Sequence, residues 1–458
     1  MADNPPQRLA RRHFLKMGVI GGSGFALTKS SAHAQRPKAG VVSQHLETPV
    51  AGQFDVIVAG SGPAGIASAI SAARSGAKTL LVEKNGCLGG VWTSGLLCWI
   101  LDSASKSGVM AEIRERLQAM EAGFANRGGN RAYAYDPEAM KLLLEDMCGE
   151  AEVKVRLGSW VVGGVTENNR ITHLITESKS GREAWQGGLF VDCTGDGDLA
   201  ARIGCGFDLG EGPTQTTQPM TLLSLVGGVS LDDIKPFVRT TSSMNSKKLL
   251  RAEIERSGVD LSYKYPGLYP IYDDLYMLMA NHQYGVSGLN ADHLTQATMQ
   301  ARKEVNEIVS GLKSLGEPWA SMRLVATADQ IGVREGRRIH GLYTVTTKDL
   351  AEGKRHEDAI CRVNFGVDVH STSRPQDTKG NGYSRGVKSK PYDIPLRALI
   401  AKDVKGLLMA GRCISGDFIA HSSYRVTGNA VAMGEAAGRI AASAAKAGVL
   451  PQGVPWQP

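Results

Sequence analysis

Residues 55–85 constrain the fold more than any other part of this chain, because they combine two strand patterns, a glycine turn and a helix pattern. Their sequence is DVIVAGSGPAGIASAISAARSGAKTLLVEKN. The apolar, β-branched run 55–59 predicts a buried parallel strand, and an alanine-rich helix follows as far as Arg74. A second strand over 79–82 ends at Glu83. This order is typical of a βαβ unit that binds a nucleotide.

Three glycines between the first strand and the helix form the pattern G-x-G-x-x-G. We expect Gly60 to make a tight turn, Gly62 to let backbone approach a pyrophosphate, and Gly65 to let the helix pack closely on the strand. The helix N-terminus favours the pyrophosphate through its free N–H groups. Glu83 is expected to accept hydrogen bonds from ribose hydroxyls and to repel a 2′-phosphate. The pattern alone does not separate FAD from NAD, and a βαβ unit without a ligand is the alternative.

Two distant segments extend this pattern. Residues 187–204 predict a strand, a polar turn and a helix, and residues 405–448 predict a strand over 407–410, a loop and a small-residue helix from about Gly428. Together with 55–85 the chain resembles the FAD-dependent oxidoreductases of the glutathione-reductase-like superfamily. The resemblance covers about residues 54–447, in outline only over 213–325, and its motifs are D-x-T-G-D-x-D at 192–198, IGVREGRRIHG at 331–341, LLMAGRCIS at 407–415, Arg425, and GEAAG at 434–438.

The resemblance implies an extended FAD with its adenosine near 60–83 and its isoalloxazine near 411–430. A helix N-terminus at about 428–429 would stabilise the negative charge of a reduced flavin; the alternative is a small-residue helix packed for its own sake. The loop 416–427 departs from the commoner family sequence. The cofactor-binding residues implied are Gly60, Gly62, Pro63, Ala64, Gly65, Glu83, Lys84, Gly90, Thr194, Gly195, Asp196, Gly411, Arg412, Gly428 and Asn429.

The expected fold class is α/β: a Rossmann-like, three-layer ββα FAD-binding domain with an inserted α+β substrate or cap domain. In the insertion, 230–256 and 291–314 predict amphipathic helices, 321–370 predicts strands, and 371–391 predicts a loop. No second glycine pattern followed by an acid is present, which argues against a bound NAD(P)H partner. The predicted boundaries are 1–34 signal peptide, 35–52 linker, 53–212 first part of the FAD domain, 213–390 cap, 391–448 second part of the FAD domain, and 449–458 tail.

The segment RRHFLK at 11–16 resembles a twin-arginine (Tat) export signal, although Ala10 replaces the usual Ser or Thr. A weakly apolar stretch and a small-residue cleavage site around His33 follow it. The alternative is an amphipathic or disordered tail. Residues 1–34 hold five basic and one acidic residue, so their removal lowers the net charge from +7 to +3. This small excess gives no argument for nucleic acid, and we expect a periplasmic protein without a stable membrane span once mature.

The seven cysteines show no C-x-x-C pattern, which argues against a zinc, iron–sulfur or c-type haem site. Most of them lie in apolar or glycine-rich segments, so buried thiols are expected. Their odd number argues against a complete disulfide framework, and we predict no metal ligands. Cys87 and Cys98 are too far apart in sequence for the redox-active pair of a thiol–disulfide reductase.

Flavin chemistry on a substrate requires a group that takes up a proton and often a cation that binds an anionic substrate. The candidate catalytic residues are His421, Arg425, His370 and Arg334. Asp368 and His370 are expected on one face of a strand. For Arg334 and the neighbouring charges of REGRR, internal ion pairing is the alternative to substrate binding. For His370 the alternative is a structural histidine.

The leading hypothesis is an exported FAD-dependent dehydrogenase or oxidase. Its expected partners are a small organic substrate, an external electron acceptor (quinone, cytochrome or O2) and the Tat translocase. The alternatives are a fumarate-reductase-like enzyme running in the opposite direction, a flavin-binding electron-transfer subunit of a larger complex, and a relative that uses the pocket without redox chemistry.

Overall fold

The structure is a computed structural model that describes residues 44–125, 132–240, 243–374 and 383–456. Contacts divide the chain after Glu47, and the described helices and strands belong to the unit that begins at Thr48. The predicted signal peptide at 1–34 lies outside the described residues, as do 375–382 of the predicted loop. The domain boundaries therefore stay a prediction.

The N-terminal half contains one long glycine-initiated helix and most strands of the main sheet. Its elements, in chain order, are β1 Val50–Ala59, α1 Pro63–Arg74, β2 Thr79–Val82, β3 Trp99–Leu101, α2 Val109–Ala119, β4 Gly123–Ala125, β5 Ala132–Tyr135, α3 Pro137–Glu150, β6 Lys154–Arg156, β7 Trp160–Glu167, β8 Arg170–Ser178, β9 Gly181–Asp192, α4 Asp198–Arg202 and β10 Phe207–Asp208.

The remainder alternates short strands with two long helices, one in the cap region and one near the C-terminus. Its elements are β11 Ser224–Gly227, α5 Leu231–Ile234, α6 Asn245–Arg256, β12 Gly267–Pro270, β13 Leu275–Met279, α7 Ala291–Ser314, β14 Arg323–Thr327, β15 Arg338–Ile339, α8 Thr347–Glu352, β16 Ala359–Val363, β17 Tyr392–Pro395, β18 Leu407–Met409, α9 Phe418–Tyr424 and α10 Thr427–Ala447. Short 3-10 helices lie at Gly90–Trp92, Lys235–Phe237, Leu396–Ala398 and Pro451–Gly453.

The main sheet has the order β6-β2-β1-β9-β8-β7, and β18 also pairs with β9. Strands β6, β2, β1, β9 and β18 run parallel, whereas β8 pairs antiparallel with both β9 and β7. The long strand β9 joins the parallel and antiparallel parts of the sheet, because its first half pairs with β8 and its last three residues pair with β18. Since β18 lies far along the chain from β1 and β9, the segment between β9 and β18 is inserted into the topology of one sheet. The Rossmann-like α/β fold class is confirmed.

Helices α1 and α10 pack on this sheet and on each other at very short range. A Cβ at Gly434 would lie 2.0 Å from the carbonyl oxygen of Ala64, and one at Gly438 would lie 2.2 Å from that of Ser68. Only glycine allows two helix backbones to approach so closely. The small residues of α10 therefore hold it against α1.

A four-stranded antiparallel sheet, ordered β12-β13-β11-β14, forms the centre of the inserted segment. Helices α6 and α7 bury Leu250, Ile254, Ile308 and Leu312 in the apolar cluster beside this sheet. Asn290 caps α7, because its side-chain oxygen accepts hydrogen bonds from the backbone N–H groups of Asp292 and His293. The predicted helix 291–314 is confirmed at both ends.

Several local predictions were wrong. The helix expected over 230–256 is split into α5, a 3-10 turn and α6, because Pro236 has no N–H to continue a helix. The strand predicted over 331–338 is reduced to an isolated bridge at Gly332 and to β15, which begins at Arg338. Residues 364–370 are irregular as well. The predicted strand region 321–370 also contains α8. The predicted loop 416–427 contains α9. Asp417 caps the N-terminus of this helix, because its side chain accepts a hydrogen bond from the N–H of Ala420.

No helix of the described residues is long and apolar enough to cross a membrane. Six of the seven cysteines are buried and Cys87 is partly exposed, all of them as free thiols. The expectation that most cysteines are buried thiols is confirmed.

Candidate functional site

A cavity of about 590 Å³ opens at the carboxyl ends of the parallel strands. The residues that follow four of these strands line it: Gly60 after β1, Glu83 after β2, Thr194 after β9 and Gly411 after β18. In an open parallel sheet the carboxyl ends of the strands form the ligand crevice. The sheet topology thus brings together segments that are far apart in sequence.

Eleven of the fifteen predicted cofactor-binding residues line this cavity: Gly60, Gly62, Pro63, Ala64, Glu83, Lys84, Gly90, Thr194, Gly195, Gly411 and Arg412. The other four, Gly65, Asp196, Gly428 and Asn429, do not line it. Gly428 packs on backbone, since a Cβ there would lie 2.5 Å from the carbonyl oxygen of Leu101. Asp196 pairs with Arg412 at 2.8 Å and so positions a residue of the cavity wall.

The three glycines of the turn have the geometry expected of them. Gly60 has φ +91°, in the left-handed region. A Cβ at Gly65 would lie 1.8 Å from the carbonyl oxygen of Gly60, whereas a Cβ at Gly62 would meet nothing within 4 Å. Gly62 is also the N-cap of α1, which has no side-chain cap, so the first N–H groups of α1 are available to an anion.

Glu83 has a different set of partners from the ribose hydroxyls expected for it. Its Oε2 accepts hydrogen bonds from the backbone N–H of Ser61 at 2.8 Å and from the Ser61 hydroxyl at 2.7 Å. Its Oε1 accepts one from the N–H of Asn85 at 2.8 Å. The Glu83 residue is 4% exposed. In this structure Glu83 fixes the glycine turn on one wall of the cavity.

Asp192 is a structural residue of the site, and the sequence motif contains it without indicating its role. Its carboxylate accepts hydrogen bonds from the N–H and hydroxyl of Thr194 and from the N–H of Ala200. Complete burial raises the pKa of Asp192, although these donors oppose the rise. Asp192 therefore fixes the turn that carries Thr194 and Gly195 to the cavity.

Several buried polar groups near the start of α10 have no hydrogen-bond partner within the described part of the chain. They include the Thr427 hydroxyl, the Asn429 amide nitrogen and Nε of Arg425. Helix α10 also lacks a side-chain cap, since its N-cap is Val426. Unpaired buried donors at an uncapped helix N-terminus suit a polar ligand edge with negative charge. Arg425, Val426 and Thr427 line the cavity.

The cap side of the same cavity carries two of the candidate catalytic arginines. Nη1 of Arg334 donates to the carbonyl oxygen of Pro219 at 2.8 Å and to the Thr221 hydroxyl at 2.7 Å. Nη2 of Arg425 donates to the carbonyl oxygen of Asp368 at 2.8 Å and lies 3.7 Å from its carboxylate. Burial lowers the pKa of Arg425 to about 10 and lowers that of Arg334 as well, yet both arginines remain cations at neutral pH.

The other charges of REGRR form ion pairs. Arg338 Nη1 lies 2.6 Å from Oε1 of Glu335, and both side chains are almost completely buried. Arg337 pairs with Asp198 at 3.0 Å. Internal ion pairing thus accounts for three members of this set, while Arg334 contacts only neutral oxygens within the described part of the chain.

The two histidine candidates occupy different places. His370 lines the cavity, with Nε2 3.4 Å from Oδ2 of Asp368, while its Nδ1 is buried without a partner among the described residues. His421 is fully buried outside the cavity lining, and neither of its ring nitrogens has a partner there. Burial lowers the pKa of both; for His370, with the charge of Arg334 adding to the effect, it falls to about 4. Both rings are neutral at pH 7.

No direct sequence signal marks the other residues that complete the cavity, which are Trp99 on β3 and the cap residues Lys247, Tyr263, Tyr269, Met277 and Tyr383. They come from a short strand, from α6, from irregular segments and from the antiparallel sheet of the cap. Such residues share no spacing, so only the tertiary fold shows that they meet. The apolar face of α6 was the one available hint, because Lys247 lies on it beside Leu250 and Ile254.

The fold and the cavity together define a protein that binds a dinucleotide at the carboxyl edge of a Rossmann-like sheet. The chain belongs to the family described as FAD dependent oxidoreductase, whose family model matches residues 55–457. FAD is accordingly its cofactor. The open position at Gly62, the uncapped start of α1 and the unpaired groups at Thr427 fit this molecule.

Solved structures match this chain at low identity. A flavoprotein/dehydrogenase from Cytophaga hutchinsonii gives a TM-score of 0.48 at 12% identity, over 86% of this chain and 79% of the other. A geranylgeranyl bacteriochlorophyll reductase-like protein from Thermoplasma acidophilum gives 0.44 at 11%, over 86% and 79%. Anhydrotetracycline hydroxylase OxyS from Streptomyces rimosus gives 0.44 at 12%, over 86% and 63%. Comparison with curated protein sequences finds no match.

Proposed function

We propose that this oxidoreductase oxidises a small organic substrate in the cap end of the cavity and passes the electrons to an external acceptor such as a quinone, a cytochrome or O2. The single observation that carries the proposal is the continuity of the cavity. One wall is the glycine turn at Gly60–Gly62, and the opposite end holds Arg334, Asp368 and His370. Bound FAD supplies the two-electron chemistry there.

The residues at the cap end provide a proton acceptor and its supports. Burial opposes ionisation of Asp368, but its interaction with the His370 ring and the charges of Arg425 and Arg334 hold its pKa below its usual range. Its side chain is 29% exposed, so an ionised carboxylate faces the cavity. We assign proton uptake to His370, whose neutral ring lines the cavity. We assign the positioning and stabilisation of that ring to Asp368, which lies 3.4 Å from it, and to Arg425, which lies beside Asp368.

Anaerobic titration of the purified, FAD-loaded protein with candidate substrates tests the proposal. Bleaching of the visible flavin band by a small molecule alone supports a substrate-oxidising enzyme. Oxidation of a chemically reduced sample by an unsaturated acid, with no bleaching by any reduced substrate, supports instead the fumarate-reductase-like direction. Reduction only by a protein partner supports an electron-transfer subunit.

We further propose that the chain belongs to the glutathione-reductase-like superfamily and is exported to the periplasm by the twin-arginine route. A protein that captures FAD in the cytoplasm has to fold there, and the twin-arginine route carries folded proteins. The motif at Arg11 and Arg12 supports this proposal. Changing both arginines to lysine in the full chain should leave the yellow protein in the cytoplasmic fraction. Unchanged recovery from the periplasm would contradict it.

A further inference from the structure

Two cations on the cap wall of the cavity have no carboxylate within ion-pairing distance in the described part of the chain. Arg334 donates there only to a carbonyl and a hydroxyl oxygen. Lys247 is 8% exposed, and its Nζ lies 5.9 Å from the centre of the Tyr269 ring. Both residues line the same cavity, as do Tyr263 and Tyr269.

Asp368, the carboxylate that lines this wall, forms no ion pair with either of them. It is shared by Arg425 at 3.7 Å and His370 at 3.4 Å. Glu335 likewise forms its ion pair with Arg338. Removing a cation from water without an opposite charge is costly, so buried Lys247 and partly buried Arg334 on the cavity wall favour an anion in that cavity.

The remaining surface of this end is aromatic and apolar. The Trp99 and Tyr269 rings lie 4.9 Å apart in an edge-to-face arrangement, and Met277 lines the cavity next to them in the sheet of the cap. Tyr263 and Tyr383 add two further rings, with their hydroxyl oxygens 3.3 Å apart. Aromatic walls with a few polar groups are typical of sites for small, largely apolar ligands.

We infer that the substrate is a small carboxylate with an aromatic or apolar body, whose carboxylate group binds Arg334 and Lys247 and whose body packs against Trp99, Tyr269 and Met277. The inference rests on the proposed function, because it names the substrate class for the same cavity. A guanidinium presents paired N–H donors to a carboxylate, and the lysine adds a second cation. The cap thereby supplies recognition, and the FAD domain supplies the cofactor.

Binding of benzoate and of benzamide to the FAD-loaded protein tests this inference, since the two molecules match in shape and differ in charge. Binding is followed by the perturbation of the visible flavin spectrum. We expect benzoate to bind at least about tenfold more tightly than benzamide, as one charge-assisted hydrogen bond is sufficient for this ratio. Arg334→Gln and Lys247→Met should each weaken benzoate binding by about tenfold or more and leave benzamide binding unchanged.

Matched controls separate charge recognition from damage to the fold. Lys248 is the exposed neighbour of Lys247 on α6, and Arg323 is exposed on β14. Lys248→Met and Arg323→Gln should bind benzoate like the unchanged protein, and Lys247→Arg should retain most of the affinity. FAD content and thermal unfolding are measured for every variant.

Equal binding of benzoate and benzamide, or equal behaviour of Lys247→Met and Lys248→Met, would overturn the inference. Its failure is distinguishable from that of the proposed function. Selective benzoate binding by a protein that no substrate reduces would preserve the anion site and reject the oxidase proposal. Reduction by neutral substrates only would preserve the proposal and reject the anion site.

Discussion

Oδ2 of Asp368 lies 3.4 Å from Nε2 of His370, at the point where the cap meets the cofactor cavity. The two residues do not belong to a strand. They are held instead by Gln218, whose side-chain oxygen accepts hydrogen bonds from the backbone N–H of His370 at 2.9 Å and from Arg425 at 3.2 Å. One buried amide thus fixes the surroundings of the only carboxylate that we place in the chemistry.

Replacing Asp368 by Asn should reduce turnover by about a hundredfold or more, because His370 loses the carboxylate that stabilises its protonated ring and general-base assistance is typically of that size. FAD content should stay close to that of the unchanged protein, since Asp368 lies on the cap wall. Steady-state rates with an artificial acceptor and the ratio of visible to ultraviolet absorbance measure the two quantities. Asp260→Asn, at an exposed carboxylate on the cap, is the control. A turnover of Asp368→Asn close to that of the unchanged protein would remove Asp368 from the mechanism.

Gly62→Ala and Gly65→Ala should fail in different ways. The Cβ at position 62 meets no protein atom within 4 Å and faces the cavity, so this variant should fold normally and bind FAD about tenfold or more weakly. The Cβ at position 65 would lie 1.8 Å from a carbonyl oxygen, so this variant should lose several kcal/mol of stability, about 2–4. Melting temperatures of the apoproteins and FAD titrations distinguish the two outcomes. Normal FAD affinity for Gly62→Ala would show that the turn does not approach the cofactor.

Arg338→Met should destabilise the protein by about 3–5 kcal/mol, because it leaves the buried carboxylate of Glu335 without its partner. The loss also frees the carbonyl oxygens of Gly210 and Gly416, which accept hydrogen bonds from the same guanidinium. Arg337→Met, at the more exposed pair with Asp198, should cost less than about 1 kcal/mol. Denaturant unfolding of both variants measures the difference. Equal losses of unfolding free energy in the two variants would show that burial does not determine how much each ion pair contributes to stability.

His370 should make stability depend on pH in the acidic range. Its pKa is lowered from 6.5 to about 4 in the folded protein, by burial and by Arg334. Between these values the unfolded chain binds a proton that the folded chain does not, so stability falls as the pH decreases from 6.5 to 4. At about pH 5 the loss is about 2 kcal/mol relative to pH 7.

The control for this pH effect is His370→Asn, which lacks the titrating ring. From neutral to mildly acidic buffer, the melting temperature of this variant should fall less than that of the unchanged protein. The two decreases should differ by a few degrees. The comparison of two slopes cancels any constant destabilisation by the substitution. Parallel slopes would show that His370 is protonated equally in both states.

The nucleotide end of the site was predictable from the sequence because local rules determine it. A positive-φ turn at Gly60, a close contact at Gly65 and the strand ends at 59 and 82 all follow from residues within one βαβ unit. The parallel sheet then allows the same prediction, that a residue lies at the cofactor site, for Thr194 and Gly411. These residues are distant in sequence, but they follow strands whose carboxyl ends meet at one edge.

The cap end could not be predicted in the same way. Lys247 on α6 and Arg334 in an irregular segment meet only because the cap packs over the cavity, and no periodicity encodes that contact. The strand predicted over 331–338 is present only as a bridge at Gly332 and as the start of β15 at Arg338. Between them Arg334 bonds through its side chain to Pro219 and Thr221. The prediction that His370 and Asp368 come together holds at 3.4 Å, although the strand that motivated it is absent.

Strand β18 and helix α10 lie within the last 52 residues of the chain, yet they complete the wall that begins with β1. Gly434 and Gly438 press the final helix against the first one. A nascent polypeptide whose β18 and α10 are not yet synthesised lacks that wall. Capture of the vitamin-derived cofactor therefore has to follow the synthesis of α10, and proteolytic removal of β18 and α10 should yield a colourless product.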